Sequence, residues 1–300
     1  MTQVNTFPVN SSKDEAQKAA FQLSAPQDDC AVMFASPHSG RHYPDDFQSL
    51  LRVPLMDLRR VEDAFMDQMI SPVTDLGVGT LSAVFARSYV DLNRSETELD
   101  SRMFSDGAPT PAGERSPRVE AGLGCIPRIA ASGQDIHLRK LSRDEAEARL
   151  QEAYRPYHRA LTNWLNLIKR RCGRSVLIDC HSMPSLVAGR RIRTDIIIGT
   201  RHGASCDEGL ARTVENHFLA LGYKVARNMP YAGGYCTQHH GRPLEDRHAL
   251  QIEINRRLYM DEDTVRLKPG FYKLQSDMKA LGLSVMNWAE RTRVLNSERT

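Results

Sequence analysis

"VLIDCHSMPS", Val176 to Ser185, is a short apolar run that stops abruptly at a histidine followed by serine and proline. Its length and its position just after Gly173 make it a buried strand following a long helix over about 142–171. The same form recurs along the chain. "AVMFAS" runs into Pro37, His38, Ser39 and Gly40; a strand within "GTLSAVFARSYVDL" leads to Asn93 and Arg94; "HALQIEIN" carries Glu253 inside a run that otherwise reads as buried. "DIIIGT" and "YKVARN" supply two more strands. Between them lie helical patterns: "LMDLRRVEDAFMDQMI", with Leu58, Val61, Phe65 and Met69 at three- and four-residue steps, then about 207–221 and 272–294. Apolar strands alternating with amphipathic helices predict an α/β layered domain with a mostly parallel sheet. Ligands of such sheets gather in the crevice outside the carboxyl ends of the strands.

The chain has 300 residues, within reach of one large domain or two small ones. It is read as one domain over 30–300 behind a flexible lead-in, 1–29. From Ser95 to about Leu141 it is rich in Gly, Pro, Ser and charge, which predicts a long surface excursion of the kind that covers sites. A formal charge of +3 is too small to argue for nucleic acid and leaves a small molecule or another protein as partner. No window approaches the apolar length of a membrane span and the N-terminus lacks a signal-peptide pattern, so a cytoplasmic protein without a membrane partner is expected. The six cysteines are scattered and read as reduced thiols.

The polar residues just past the strands would share one rim: His38, Asn93, Arg94, His181 and Glu253. Two imidazoles and a carboxylate make the protein ligands of a catalytic zinc site, with a position left for water. A lone histidine after a strand is ordinarily structural; two in the form His-Ser weaken that explanation for each. Glu253 has two readings: a general base and acid, or the ion-pair partner of Arg256 or Arg257. Arg94 is either a surface ion pair or a planar fork for a substrate carboxylate, with Asn93 adding a donor and Arg87 a second positive charge.

Taken together and in order, "SPHSGRHYP", "RSYVDLNR", "VLIDCHSMPS", "DIIIGTRHGASCD", "GGYCTQHHGRP" and "HALQIEINRRLYMDE" resemble the N-formylglutamate amidohydrolase family, from about Val32 to Glu262. That family is similar to the zinc carboxypeptidases and aspartoacylases. The resemblance implies a three-layer α/β/α sandwich with a mixed, mostly parallel sheet, one Zn²⁺ ion, an acidic N-acyl amino acid as substrate, and a place in histidine breakdown. It implies hydrolysis of the formyl amide of N-formylglutamate, with His38 and His181 as zinc ligands, Glu253 as general base and acid, and Asn93 with Arg94 holding the substrate carboxylate.

Carboxypeptidases take a third ligand three residues after the first histidine, but Arg41 stands there. "EDAFMD" matches the family's alternative, giving Asp63, or Asp67 one helical turn on. His239 matches a family histidine that would polarise the carbonyl or touch the substrate, beside Tyr235, Arg242 and the close-approaching Gly233 and Gly234. His240 stands where an aromatic residue is expected. Asp179, two positions before His181, would orient an imidazole, while Cys180 faces the other way. His42, His137, His158, His202, His217 and His248 are read as structural or surface residues. The alternatives are hydrolysis of another N-acyl amino acid or a C-terminal peptide bond, or a non-catalytic protein that binds an acidic amino acid. Substrate choice is expected to reside in the excursion, where Gly122 and Leu123 match a family element.

Overall fold

The structure, a computed structural model, describes residues 19–108, 116–187 and 189–297, with side chains up to residue 291. Its main sheet is built from β1 (Phe21–Ser24), β2 (Val32–Ser36), β3 (Gly79–Ala83), β4 (Ser175–Met183), β5 (Ile196–Gly199), β6 (Val225–Arg227) and β7 (Arg247–Asn255), ordered β1-β3-β2-β4-β7-β5-β6. The central strands β3, β2, β4 and β7 are parallel, whereas β1 and β5 run antiparallel to β3 and β7. The sheet is therefore mixed with a parallel centre. The helices that matter below are α1 (Leu55–Arg59), α2 (Met66–Ile70), α3 (Arg143–Arg149), α4 (Arg155–Cys172), α5 (Glu208–Ala220), α6 (Tyr235–His240) and α7 (Gly270–Ser297).

Strand alternation sorts side chains onto two faces. Val176, Ile178 and Cys180 of β4 and Leu250, Ile252 and Ile254 of β7 pack with Met66 and Met69 of α2, Val214 and Phe218 of α5, and Met278 and Leu281 of α7. On the other face Leu177 and Ala249 meet Tyr157, Leu161 and Leu165 of α4. Two cores separated by one sheet make an α/β/α sandwich. On that second face the apolar residues stop early. Asp179 and His181 follow Leu177, and Gln251 and Glu253 follow Ala249, all buried.

Four boundaries differ from the sequence-based expectation. The nine buried residues of β4 run through His181 to Met183, so the histidine lies in the strand rather than beyond it. β3 ends at Ala83, and Arg87, Asp91, Asn93 and Arg94 lie in the turns that follow, not on a strand face. Residues 21–24 of the expected lead-in add an edge strand to the sheet; positions 1–18 lie outside the described residues, as do 109–115 of the excursion. The helix expected over 55–70 is interrupted. There the Asp63 N–H donates to the His38 carbonyl at 3.0 Å, and Phe65 takes a left-handed φ of 66° before α2 restarts. The helix over 142–171 holds as α3 and α4 joined by a wide turn, Leu150–Tyr154; it opens on a Ser142–Glu145 capping box and closes at Gly173.

The buried histidines set the acid limit of this packing. Burial holds His137 and His240 at about 3 and His158 and His248 at about 4, so all four stay neutral in the fold. The unfolded chain takes up those protons below about pH 6.5, which destabilises the fold by up to about 1.4 kcal/mol per pH unit for each group. Burial raises Glu62 and Glu253 to about 7, and these act in the opposite sense between about pH 7 and 4.5. Four groups outweigh two. The urea midpoint is expected to fall between pH 7 and pH 5; an equal or higher midpoint at pH 5 would contradict this assignment.

Candidate active site

In the β4–β7 register His181 stands opposite Glu253 and Asp179 opposite Gln251. His38 arrives from the turn after β2, and Asp63 from the helix interruption that is itself bonded to His38. Three atoms converge: His181 Nδ1 lies 3.1 Å from His38 Nδ1 and 2.9 Å from Asp63 Oδ2, and His38 Nδ1 lies 3.4 Å from Asp63 Oδ2. All three side chains are buried, and among the described residues they are the group of His, Cys, Asp and Glu able to share a metal ion.

The outer ring nitrogens decide what the inner ones carry. His38 Nε2 donates to Asp91 Oδ1 at 2.7 Å, which leaves the lone pair on Nδ1. His181 Nε2 faces Asp179 Oδ2 at 3.0 Å and the Asn93 amide nitrogen at 3.2 Å. The Asp179 carboxylate is fully buried without a well-aligned hydrogen bond. Isolating an ionised carboxylate costs several kcal/mol, so a proton on Nε2 facing it is favoured, which again turns the lone pair of Nδ1 inward.

Without an ion, a proton shared between His181 Nδ1 and Asp63 Oδ2 holds these atoms together, and against the effect of burial the carboxylates of Asp179 and Asp63 raise the His181 pKa; a metal ion would take the place of that proton. Ligand atoms about 2.0–2.2 Å from a tetrahedral zinc are themselves roughly 3.3 Å apart, close to the separations here. The donor set fits a metal. Asp63 is suited to the charge: burial opposes its ionisation, but the bonds and charges of His181 and His38 outweigh that and hold it well below the usual range. Its second oxygen accepts from Ser182 Oγ and from Arg256 Nη2, both at 3.0 Å. Asp67 stands apart, bound by the Arg41 guanidinium at 2.7 Å.

The same geometry separates the two readings of Glu253. Arg256 is committed to Asp63 and Ser182, and Arg257 pairs with Asp195, so neither arginine takes the Glu253 carboxylate. Its Oε1 instead accepts from the Gln251 amide at 2.8 Å. Burial raises its pKa to about 7, partly offset by the positive charge of His181, which leaves it able to hold or release a proton near neutrality.

A cleft of about 310 Å³ opens over this cluster, near the lower end of the roughly 300–1,000 Å³ of small-molecule sites. His38, Asp63, Arg87, Asn93, Arg94, His181 and Glu253 all line it, and the excursion supplies an apolar wall including Leu123, Ile129 and Ile136. Arg87 is paired with Asp91 at 2.8 Å. Arg94 donates to the carbonyls of Asn93 and Leu123 and has no carboxylate partner among the described residues. Asn93 is fully used inside the protein: its oxygen accepts from Cys236 N–H at 2.8 Å and its nitrogen faces His181 and Gln251. Gly234 is required at that point, because an added Cβ would come within 2.3 Å of the Asn93 amide.

Tyr235, His239 and Arg242 do not line the cleft. Tyr235 stacks on the exposed His239 with ring centres 5.1 Å apart, and Arg242 is exposed beside Glu245. His240 packs edge-on against His239, with ring centres 4.8 Å apart, and does not line the cleft. Sequence reasoning missed Asp91 and Gln251, and considered Arg256 only as a partner of Glu253 rather than of Asp63. An acid between Val90 and Leu92 was a visible signal for Asp91; nothing local marks the others.

A family model described as N-formylglutamate amidohydrolase matches residues 30–260. The chain belongs to the N-formylglutamate amidohydrolase family. Among its relatives in that family are N-formylglutamate deformylases of Pseudomonas putida, 29% identical over 249 residues, and of Pseudomonas aeruginosa, 30% identical over 246. They cover 80% and 77% of this chain and 85% and 82% of their own lengths. The crystal structure of the N-formylglutamate amidohydrolase of Ralstonia eutropha JMP134 superposes with a TM-score of 0.86 at 35% identity, over 92% of this chain and 100% of that one. A gene product of Agrobacterium tumefaciens, 17% identical with a TM-score of 0.68 over 92% of this chain and 98% of its own, shares the fold.

The two acids of the interrupted helix make opposite predictions. Purified wild-type protein and D67A are expected to carry about one metal ion per chain by emission spectrometry, and D63A almost none. Loss of the ion in D67A with retention in D63A would reverse the ligand assignment.

Proposed function

We propose that this chain is a zinc-dependent amidohydrolase that converts N-formyl-L-glutamate and water to formate and L-glutamate. The observation that carries the proposal is an inward-facing donor cluster beside a buried glutamate that no arginine neutralises. The names of the family and of its deformylase relatives support the same substrate.

His38, Asp63 and His181 would hold the ion, and Asp91 and Asp179 would keep their Nδ1 atoms turned towards it. When bound, the ion supplies Lewis-acid polarisation and eases deprotonation of water. Glu253 takes the proton of the attacking water and returns it to the amide nitrogen as the C–N bond breaks, which releases formate and the free amine. Gln251, held by Gly234 N–H at 2.8 Å, fixes the Glu253 carboxylate. Arg94 anchors a substrate carboxylate, and Arg87, partly occupied by Asp91, places positive charge where the carbonyl oxygen gains charge. Asn93 positions Gln251 by donating to its amide oxygen.

We further propose that the reaction takes place in the cytoplasm; six free buried thiols are in keeping with a reducing compartment.

Removing the proton carrier tests the chemistry. E253Q, which preserves shape, is expected to lower kcat about 10²- to 10⁴-fold while retaining the metal; undiminished turnover would exclude the role. In a hydrolysis panel with added zinc, N-formyl-L-glutamate is expected to outrun N-acetyl-L-glutamate, and rates indifferent to the acyl group would overturn the formyl assignment.

A further inference from the structure

Of the four guanidinium groups that line the cleft, one is not used by the proposed chemistry. Arg118 sits in the short helical turn Pro117–Glu120, within the excursion, and lines the same cleft as Arg94. Its side chain is exposed and makes no ion pair or hydrogen bond among the described residues. The turn beneath it is fixed. Ser116 caps it through Val119 N–H at 3.2 Å and is tied to Glu98 at 2.9 Å; the Arg102 guanidinium grips the Glu120 carbonyl at 2.8 Å; Val119 is buried.

Arg118 and Arg94 are also joined through one residue. Leu123 donates its N–H to the Arg118 carbonyl at 2.8 Å and accepts from Arg94 Nε at 3.2 Å through its own carbonyl. The two like charges act on one another: burial lowers the pKa of Arg94, Asp91 raises it, and the Arg118 charge lowers it again. Two guanidinium groups lining one cleft repel each other, and an anionic ligand relieves that repulsion.

We propose that Arg94 and Arg118 form a two-point clamp that selects substrates carrying two carboxylates, Arg94 taking the α-carboxylate and Arg118 the side-chain carboxylate. The inference rests on the amidohydrolase reading for the identity of the substrate but on the cleft alone for the preference for a dicarboxylate. A planar fork on each arm gives geometric specificity that one arginine lacks, because a dianion of the right span must reach both. The apolar wall of Leu123 and Ile129 between the excursion and the sheet suits the methylene chain that separates such carboxylates.

The test reads a ratio. For wild type, R118Q and R118K, kcat/KM is measured on N-formyl-L-glutamate and on N-formyl-L-glutamine, which differ only in the side-chain carboxylate. R118Q is expected to lower the glutamate-to-glutamine ratio roughly 10- to 100-fold, the scale of one lost charge-assisted bond, with R118K keeping a larger part of it. A parallel fall on both substrates would make Arg118 a structural residue, and an unchanged ratio would exclude it from the site; either overturns the clamp. Titration calorimetry of the same proteins with glutarate and its monoamide separates the clamp from the chemistry. If wild type hydrolysed neither formyl substrate, the amidohydrolase reading would fail, and loss of the glutarate preference in R118Q would still support the clamp. Equal binding of glutarate and its monoamide by wild type would overturn it.

Discussion

The register between β4 and β7 is the constraint on which the site depends. Because side chains alternate along a strand, this pairing puts Asp179, His181, Gln251 and Glu253 on one face, where the apolar residues give way to polar ones. A slip of one residue would turn all four into the Val176 and Leu250 core and expose an equal number of apolar groups. Burial of both faces therefore enforces the arrangement of these four polar groups. The polar patch is costly to bury, and each of its members is stabilised by a neighbour: Gln251 holds Glu253, Asn93 reaches Gln251, and Arg256 holds Asp63. The inward sides of the two histidines meet only each other and the same Asp63 oxygen.

The helix interruption at Asp63 serves the same end. An unbroken helix over 55–70 would place Asp63 and Asp67 on one face, one turn apart. Transfer of the Asp63 N–H to the His38 carbonyl turns the first acid towards the histidines, while Asp67 remains with Arg41. The backbone bond between His38 and Asp63 thus couples two of the three donors directly.

The layered fold was legible because burial on both faces of the central strands leaves continuous apolar runs, and the polar interruptions in them marked His181 and Glu253. Residues placed by hydrogen bonds across the chain were less visible. Asp63 depends on a helix break that the apolar spacing of Leu58, Val61, Phe65 and Met69 conceals. His239 and Tyr235 share a motif with Gly234, yet only the glycine end of that motif touches the site; the rings stack on each other outside it. Arg118 belongs to an excursion whose composition announces a surface segment but not which of its cations faces inward. Asn93 was expected to meet substrate, but its amide is engaged by Cys236, His181 and Gln251, so it acts through them.

The central claim is that His38 Nδ1, His181 Nδ1 and Asp63 Oδ2 converge on one cation. X-ray anomalous diffraction from crystals of the zinc-loaded protein, collected across the zinc absorption edge, tests it most directly. The account predicts a single strong peak among those three atoms, with Asp91 and Asp179 still against the outer nitrogens. A peak coordinated by Asp67 or by the histidines of α6, with none at the convergence, would contradict it.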